Sequence, residues 1–405
     1  MQRIITHMSD FLLINCYFVV ILLLFVGGNM VYLDYSATTP VDKMVLESFN
    51  KTSIEYIGNP NSLHKEGVKS KKLMQAATKQ IADILKVKEN EIIFTSSASE
   101  SNNLAITGVV NKYQERGKHI ITTKLEHSSI LSCVSHLEKN GYRISYVDIN
   151  LDGKIDMEHL KSLINDDTVL VSICEVNSEI GIIQNVNEIG EYLKKFPRII
   201  FHVDGTQAVG KKRIDLSNID LYSFSSHKIY GLKGIGCLVK KENIELEPMI
   251  YGGKSQTIYR AGTPPLALIT SFAKALKLAN DNIKERIQIV KQRSELLKNE
   301  LKKIKGVVIN SNNNCIDHIV NISIVGIKPE TLLHALEEDD IYISTKTACS
   351  SDGKKSLSVF SLTKNEDLSL SSIRISISHL TTVDEINLFL DKLKNNIYKL
   401  LSIRK

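Results

Sequence analysis

The sequence predicts an α/β protein: a mostly parallel central sheet covered by helices, followed by a smaller α+β unit. Three observations carry this. From Val31 onward, strand-like apolar runs alternate with stretches of helical periodicity. Several of the runs hold consecutive apolar residues rather than alternating ones, as in strands buried on both faces. Beyond a long charged stretch, from about Asn282 to Lys303, the pattern changes to short strands joined by helices.

The strands expected in the large unit are EIIFT (91–95), HIITT (119–123), RISYVDI (143–149), TVLVSIC (168–174), RIIFHVD (198–204), LYSFS (221–225) and GIGCLVK (234–240). Between them lie helices; Met74, Ala77, Ile81, Ile84 and Leu85, for example, share one helical face. The later runs GVVINSNN, HIVNISIVG and SIRISIS build the smaller unit. The expected division is a large unit over 45–285, and a small one from 30–44 together with 286–405.

A chain of 405 residues that is 43% hydrophobic and 24% charged is not a disordered one. Its 51 basic and 45 acidic residues are dispersed, with no run of five like charges, so no nucleic-acid footprint is read. Cys16, Cys133, Cys174, Cys237, Cys315 and Cys349 form no C-x-x-C pair, which argues against a zinc site and for a reducing compartment. The segment FLLINCYFVVILLLFV, residues 11–26, falls short of the ~20 apolar residues of a spanning helix. No A-x-A cleavage site follows it. Residues 1–29 are therefore expected to be an appended extension or a misassigned start on a cytoplasmic protein, with membrane association through 11–26 as the alternative.

In a doubly wound sheet, ligands bind beyond the carboxyl ends of the strands, so the polar residues just after each run are the candidates. After EIIFT comes SSASESNN, whose hydroxyls and free N–H groups at a helix start suit a phosphate; Ser99 with Glu100 capping the helix is the plain alternative. Asp204 ends one run, and Lys228 follows a later one 24 residues on. A carboxylate that protonates a pyridine nitrogen and a lysine that forms an imine are what a pyridoxal phosphate enzyme needs. His127 and Asn177 stand after two other runs, with Gln207 near Asp204. Cys349 lies in STKTACSSDGKKS, among small polar and cationic neighbours that favour a reactive thiolate.

Together these residues resemble the cysteine desulfurases, fold-type I pyridoxal phosphate enzymes of the class-V aminotransferase family. The resemblance runs from Val31 nearly to the end through nine motifs in the family's order. They are YLDYSATTPVD, TSSASESNN, EHSSIL, VNSEIG, HVDGTQAVGK, SFSSHKIYGLKGIG, YRAGT, TACSS and RISISHLTT.

The resemblance implies that Lys228 holds pyridoxal 5'-phosphate, Asp204 pairs with its ring nitrogen, His127 stacks on the ring, and Asn177 and Gln207 contact it. Phosphate contacts would come from Ala98 and Ser99, with Ser225, Ser226 and His227 beside them. Thr263 would reach the phosphate of the partner subunit, which implies a homodimer. Arg374, helped by Asn177, would bind the carboxylate of L-cysteine. Cys349 would take the sulfur as a persulfide, leaving L-alanine, and pass it to an iron–sulfur scaffold or a tRNA-thiolating enzyme. No resident metal is implied, though Cys349 could serve as a transient iron–sulfur ligand together with a scaffold. The chain departs from the family at Ser99, Leu232, Lys254-Ser255-Gln256 and in the stretch after Cys349, which leaves the acceptor open. A selenocysteine lyase or another class-V lyase is the alternative activity.

Overall fold

The computed structural model describes residues 30–345 and 355–402. Twelve strands are found among them: β1 (Val31–Tyr32), β2 (Ile92–Thr95), β3 (His119–Thr122), β4 (Arg143–Tyr146), β5 (Thr168–Cys174), β6 (Ile200–Asp204), β7 (Leu221–Ser225), β8 (Gly236–Lys240), β9 (Val307–Ile309), β10 (Ile319–Ile324), β11 (Ile341–Tyr342) and β12 (Ser372–Ser376). Seven of them form one sheet in the order β2-β8-β7-β6-β5-β3-β4. Within it only β8 runs against its neighbours. The remainder make a three-stranded antiparallel sheet, β12-β10-β9, and a parallel pair, β1-β11.

These runs are the buried strands: every residue of β2, β3, β5, β6, β7 and β8 is buried, polar ones such as His202 and Ser223 included. Helices close both faces of the sheet. Lys65–Leu85 lays Met74, Ala77, Ile81 and Leu85 against it, while Ile84 packs partly buried at the margin. A separate apolar core gathers Val31, Leu33, Leu297, Leu301, Ile322, Ile375 and Phe389. Among the described residues no helix is long and apolar enough to cross a membrane; the apolar segment 11–26 lies outside them.

Several strands are shorter than the sequence predicts, each for a local reason. Glu91 closes a 3-10 turn and accepts from the Lys88 amide, so β2 begins at Ile92. Phe196 accepts from the Ile199 amide in a turn, which delays β6 to Ile200. Edge strand β4 ends at Tyr146, with its first residue exposed. Gly234 has φ +89°, outside the strand region, so β8 starts at Gly236.

Parallel β5, β6 and β7 bring Cys174, Asp204 and Ser225 to the same edge, with Cys174 directly opposite Asp204. Behind this edge Tyr222 fills the space under Gly205. A Cβ at 205 would fall 1.9 Å from the tyrosine ring and 2.0 Å from its oxygen. The ring is pinned, because Tyr222 donates at 2.6 Å to Glu175, which also pairs with Lys212. Gly205→Ala is expected to lower stability by about 1–3 kcal/mol, as overpacking of a filled core does. Urea unfolding checks it, and an unchanged midpoint would show that Tyr222 yields.

Candidate active site

Lys228 sits in a short 3-10 turn, Ser226–Lys228, immediately after β7. Its Nζ donates to the Ser36 and Ala37 carbonyls at 2.5 and 2.7 Å. The amine lines a cavity of about 290 Å³, together with Ala98, Ser99, His127, Asp204, Gln207, His227 and Arg374. Seven residues scattered over the sequence thus meet Lys228 in one place.

The Asp204 carboxylate is 6% exposed. One oxygen accepts from Asn102 Nδ2 at 2.8 Å and the other from the Thr206 amide at 2.9 Å. Asn102 comes from the helix Ala98–Lys112, whose N-terminus opens on the cavity. Ser97 is the cap of that helix, rather than Ser99 as the plain alternative had it: its hydroxyl accepts from the Glu100 amide. Glu100 accepts in return from the Ser96 amide and pairs with Arg260 at 3.0 Å. Ala98 and Ser99 are left in the first turn, at the positive end of the helix dipole. Gly236 allows this loop its position, since a Cβ there would fall 2.5 Å from the Ser97 carbonyl carbon.

His127 caps the helix Ser128–Lys139, with Nδ1 accepting from the Ser129 amide. The proton of the neutral ring is therefore on Nε2. Burial holds His127 below its ordinary value, with Lys228 and Arg374 adding to this against an upward pull from Asp204. His227 falls to about 4, through burial first and then the nearby lysines. Both imidazoles are neutral at pH 7.

Arg374, on β12, is 3% exposed. It donates to Asp34 at 2.7 Å and to the Ser178 carbonyl at 2.9 Å, while its Nε has no hydrogen-bond partner among the described residues. Ser36 Oγ, Asn102 Oδ1 and Thr206 Oγ1, all on residues of the cavity wall, are buried without a partner in the same sense. Buried polar atoms are normally satisfied, so this cluster points to a polar ligand. Pyridoxal phosphate fits the set: an amine, a buried carboxylate, a neutral imidazole and a helix N-terminus surround a single space.

Other expected residues stand elsewhere. Asn177 is not on the cavity wall; its amide donates to the Leu125 carbonyl and Ser358 Oγ and accepts from the Glu179 and Ile180 amides. Ser225 and Ser226 are buried behind Lys228, with Ser225 donating to the Ile235 carbonyl. Thr263 is exposed, away from its own chain's cavity. Cys349 lies outside the described residues; the strand pairing of Ser344 with Arg374 and the Lys355–Glu366 ion pair flank its segment. Sequence reasoning missed Asn102, Ser36, Ala37, Asp34 and Ser129. Asn102 was within reach, because it lies one helical turn after Ala98 on the same face.

These groups define a class, the α/β enzymes that use pyridoxal phosphate. The sequence model of the family described as Aminotransferase class-V matches residues 31–389, and the chain belongs to this family. A NifS/IcsS protein homolog of Lactobacillus delbrueckii subsp. bulgaricus is 40% identical over 367 residues, 89% of this chain and 95% of its own. Cysteine desulfurase IscS of Pasteurella multocida is 40% identical over 383 residues, 91% of this chain and 93% of its own. Among solved structures, a NifS-like protein superposes with a TM-score of 0.86 at 31% identity, covering 91% of this chain and 99% of that one. The NifS-like protein from Rickettsia africae gives 0.82 at 32% identity, with 92% and 100% covered.

Next to His127, burial pushes the Glu126 carboxyl up from 4.5 to about 8. The folded protein therefore keeps a proton that the unfolded chain has lost. Stability from this group is complete below the unfolded value near 4.5 and is lost as pH rises toward about 8. Glu126→Gln mimics the protonated form and should remove a slope of up to about 1.4 kcal/mol per pH unit in that window. Urea unfolding at a series of pH values checks this; an unchanged slope would mean that Glu126 is ionised in the fold.

Proposed function

We propose that the cavity receives L-cysteine with its carboxylate against Arg374, and that the sulfur leaves on Cys349 as a persulfide destined for an acceptor protein. The protein is an enzyme, a pyridoxal phosphate-dependent cysteine desulfurase. One observation carries the residue assignments: Lys228, Asp204, His127 and Arg374 line a single cavity that also holds buried polar atoms without partners.

When bound, the cofactor supplies an electron sink for charge developing at the substrate Cα. Lys228 would hold it, Asp204 would face its ring nitrogen, His127 its ring face and Gln207 its ring oxygen. The first turn at Ala98 and Ser99 would take the phosphate. Lys228 Nζ is the group placed to move the Cα proton, and neutral His127 offers an Nε2 proton to the reacting atoms. The thiolate of Cys349 attacks the substrate sulfur, the carbon–sulfur bond breaks with its electron pair going to carbon, and protonation there gives L-alanine. Four of the other cysteines are buried and free, so none of them competes for this role.

We also read the chain as a homodimer in which exposed Thr263 completes the partner's site, and as a cytoplasmic protein. Apolar clusters against the seven-stranded sheet, separate from the one around β10 and β12, support a large unit over 45–285 and a small one formed from 30–44 and 286–405. The acceptor would be an iron–sulfur scaffold or a tRNA-thiolating enzyme.

Purified protein should show the visible band of a lysine-bound cofactor and release equimolar alanine and sulfide from L-cysteine with a reductant. Cys349→Ala should keep the band and lose sulfide release; Lys228→Ala should lose both. Activity that survives Cys349→Ala would shift the reading to a lyase that eliminates sulfur or selenium directly. Sedimentation of Thr263→Ala should show an intact dimer with weakened cofactor binding, and a monomeric wild type would remove the shared-site assignment.

A further inference from the structure

Gln207 belongs to the wall of the cavity that holds Lys228. On its other side lies a second, smaller space of about 60 Å³, whose lining includes Lys211, Tyr230, Arg286 and His318. Lys211 is no part of the first cavity.

The Gln207 amide is held from both ends. Lys211 Nζ donates to its Oε1 at 3.0 Å, and its Nε2 donates to the Ser36 carbonyl at 2.9 Å. His318 Nε2 stands 3.4 Å from the same Oε1. A carbonyl oxygen only accepts, so Ser36 demands the NH2 end of the amide. Lysine has N–H to give in either protonation state, so Lys211 favours the oxygen end. The two neighbours select one orientation, and a flipped amide would oppose oxygen to oxygen at Ser36. That carbonyl also accepts from Lys228. A chain of three hydrogen bonds therefore runs from Lys211 through Gln207 and Ser36 to the amine of Lys228.

We propose that Lys211 is a positioning residue for the desulfurase reaction, fixing the Gln207 amide with its NH2 on the cavity side and, through Ser36, the seat of Lys228. It rests on the reading that Gln207 contacts the cofactor. Lys211 acts from behind the wall and touches neither substrate nor cofactor. The other titratable and charged groups of its surroundings are His318, Asp317, Arg286, His379, Tyr35 and Tyr230 in the second space, and Lys228, Arg374 and His227 across the wall. Burial, followed by the Lys228 and Arg374 charges, lowers the Lys211 amine well below its ordinary value. The amine still donates when neutral.

The test compares wild type with Lys211→Met, Lys211→Arg, Gln207→Ala and the Gln207→Ala/Lys211→Met double variant. It reads pyridoxal phosphate affinity by titration of apoprotein, the position of the bound-cofactor band, and the unfolding temperature of each apoprotein. Lys211→Met keeps the length of the side chain and removes the donor; Lys211→Leu, which also has no donor, replaces it if the methionine variant does not fold. Lys211→Met and Gln207→Ala should each weaken cofactor binding about fivefold to tenfold, the scale of one buried hydrogen bond. Both should move the band in the same direction, and Lys211→Arg should restore most of the loss. The double variant should be no worse than Gln207→Ala, as expected when one residue acts through the other.

Full additivity in the double variant, or an unchanged affinity and band in Lys211→Met, overturns the proposal. So does a Lys211→Met defect confined to the unfolding temperature, which marks a purely structural lysine. If Gln207→Ala itself changes neither affinity nor band, Gln207 is no cofactor contact, and the role of Lys211 falls with that reading.

Discussion

The hydrogen bond from the Asn102 amide to the Asp204 carboxylate, 2.8 Å long, joins the two structural parts on which the site depends. Asn102 belongs to the helix whose first turn faces the cavity, and Asp204 ends the strand that carries its acid. The same Asn102 nitrogen donates to Ser129, two residues past His127. One side chain therefore relates helix dipole, carboxylate and imidazole. Were it lost, a carboxylate only 6% exposed would have to give up half of its protein donors.

Much of the site was legible because a parallel sheet collects its chemistry at one edge. A polar residue directly after a mostly apolar run, such as Asp204 after RIIFHV or Lys228 shortly after LYSF, is a strand end facing that edge. The helix start at Ala98 was legible for a similar reason, since small hydroxyl residues satisfy exposed amides. The antiparallel direction of β8 was not legible, because a buried strand has the same apolar pattern in either direction. Its boundary is a matter of a single backbone angle at Gly234, which composition does not reveal.

What the sequence concealed was pairing at long range. Asp34 and Arg374 are 340 residues apart and meet at 2.7 Å; nothing local marks an aspartate near the chain start as a partner for a distant strand. The seat of Lys228 is concealed more deeply, because the backbone carbonyls of Ser36 and Ala37 accept from it and a backbone acceptor leaves no mark in residue type. Asn177 illustrates the opposite case. Its type and place matched a cofactor contact, yet four bonds within the protein use its amide, binding the loop before His127 to the helix Leu357–Thr363. A residue type signals capacity, and its neighbours decide where that capacity goes.

The four described cysteines have a bearing on sulfur traffic. Cys133, Cys174, Cys237 and Cys315 are all free and buried, and burial pushes each thiol upward, to about 11 for Cys133 and Cys315. A persulfide passes its outer sulfur to whichever thiolate can reach it, and a sealed, protonated thiol is a poor recipient. Cys174 is the closest test, since it borders the cavity itself and still lies 5% exposed. The packing that stabilises the sheet therefore also keeps mobile sulfur from scrambling onto these four thiols.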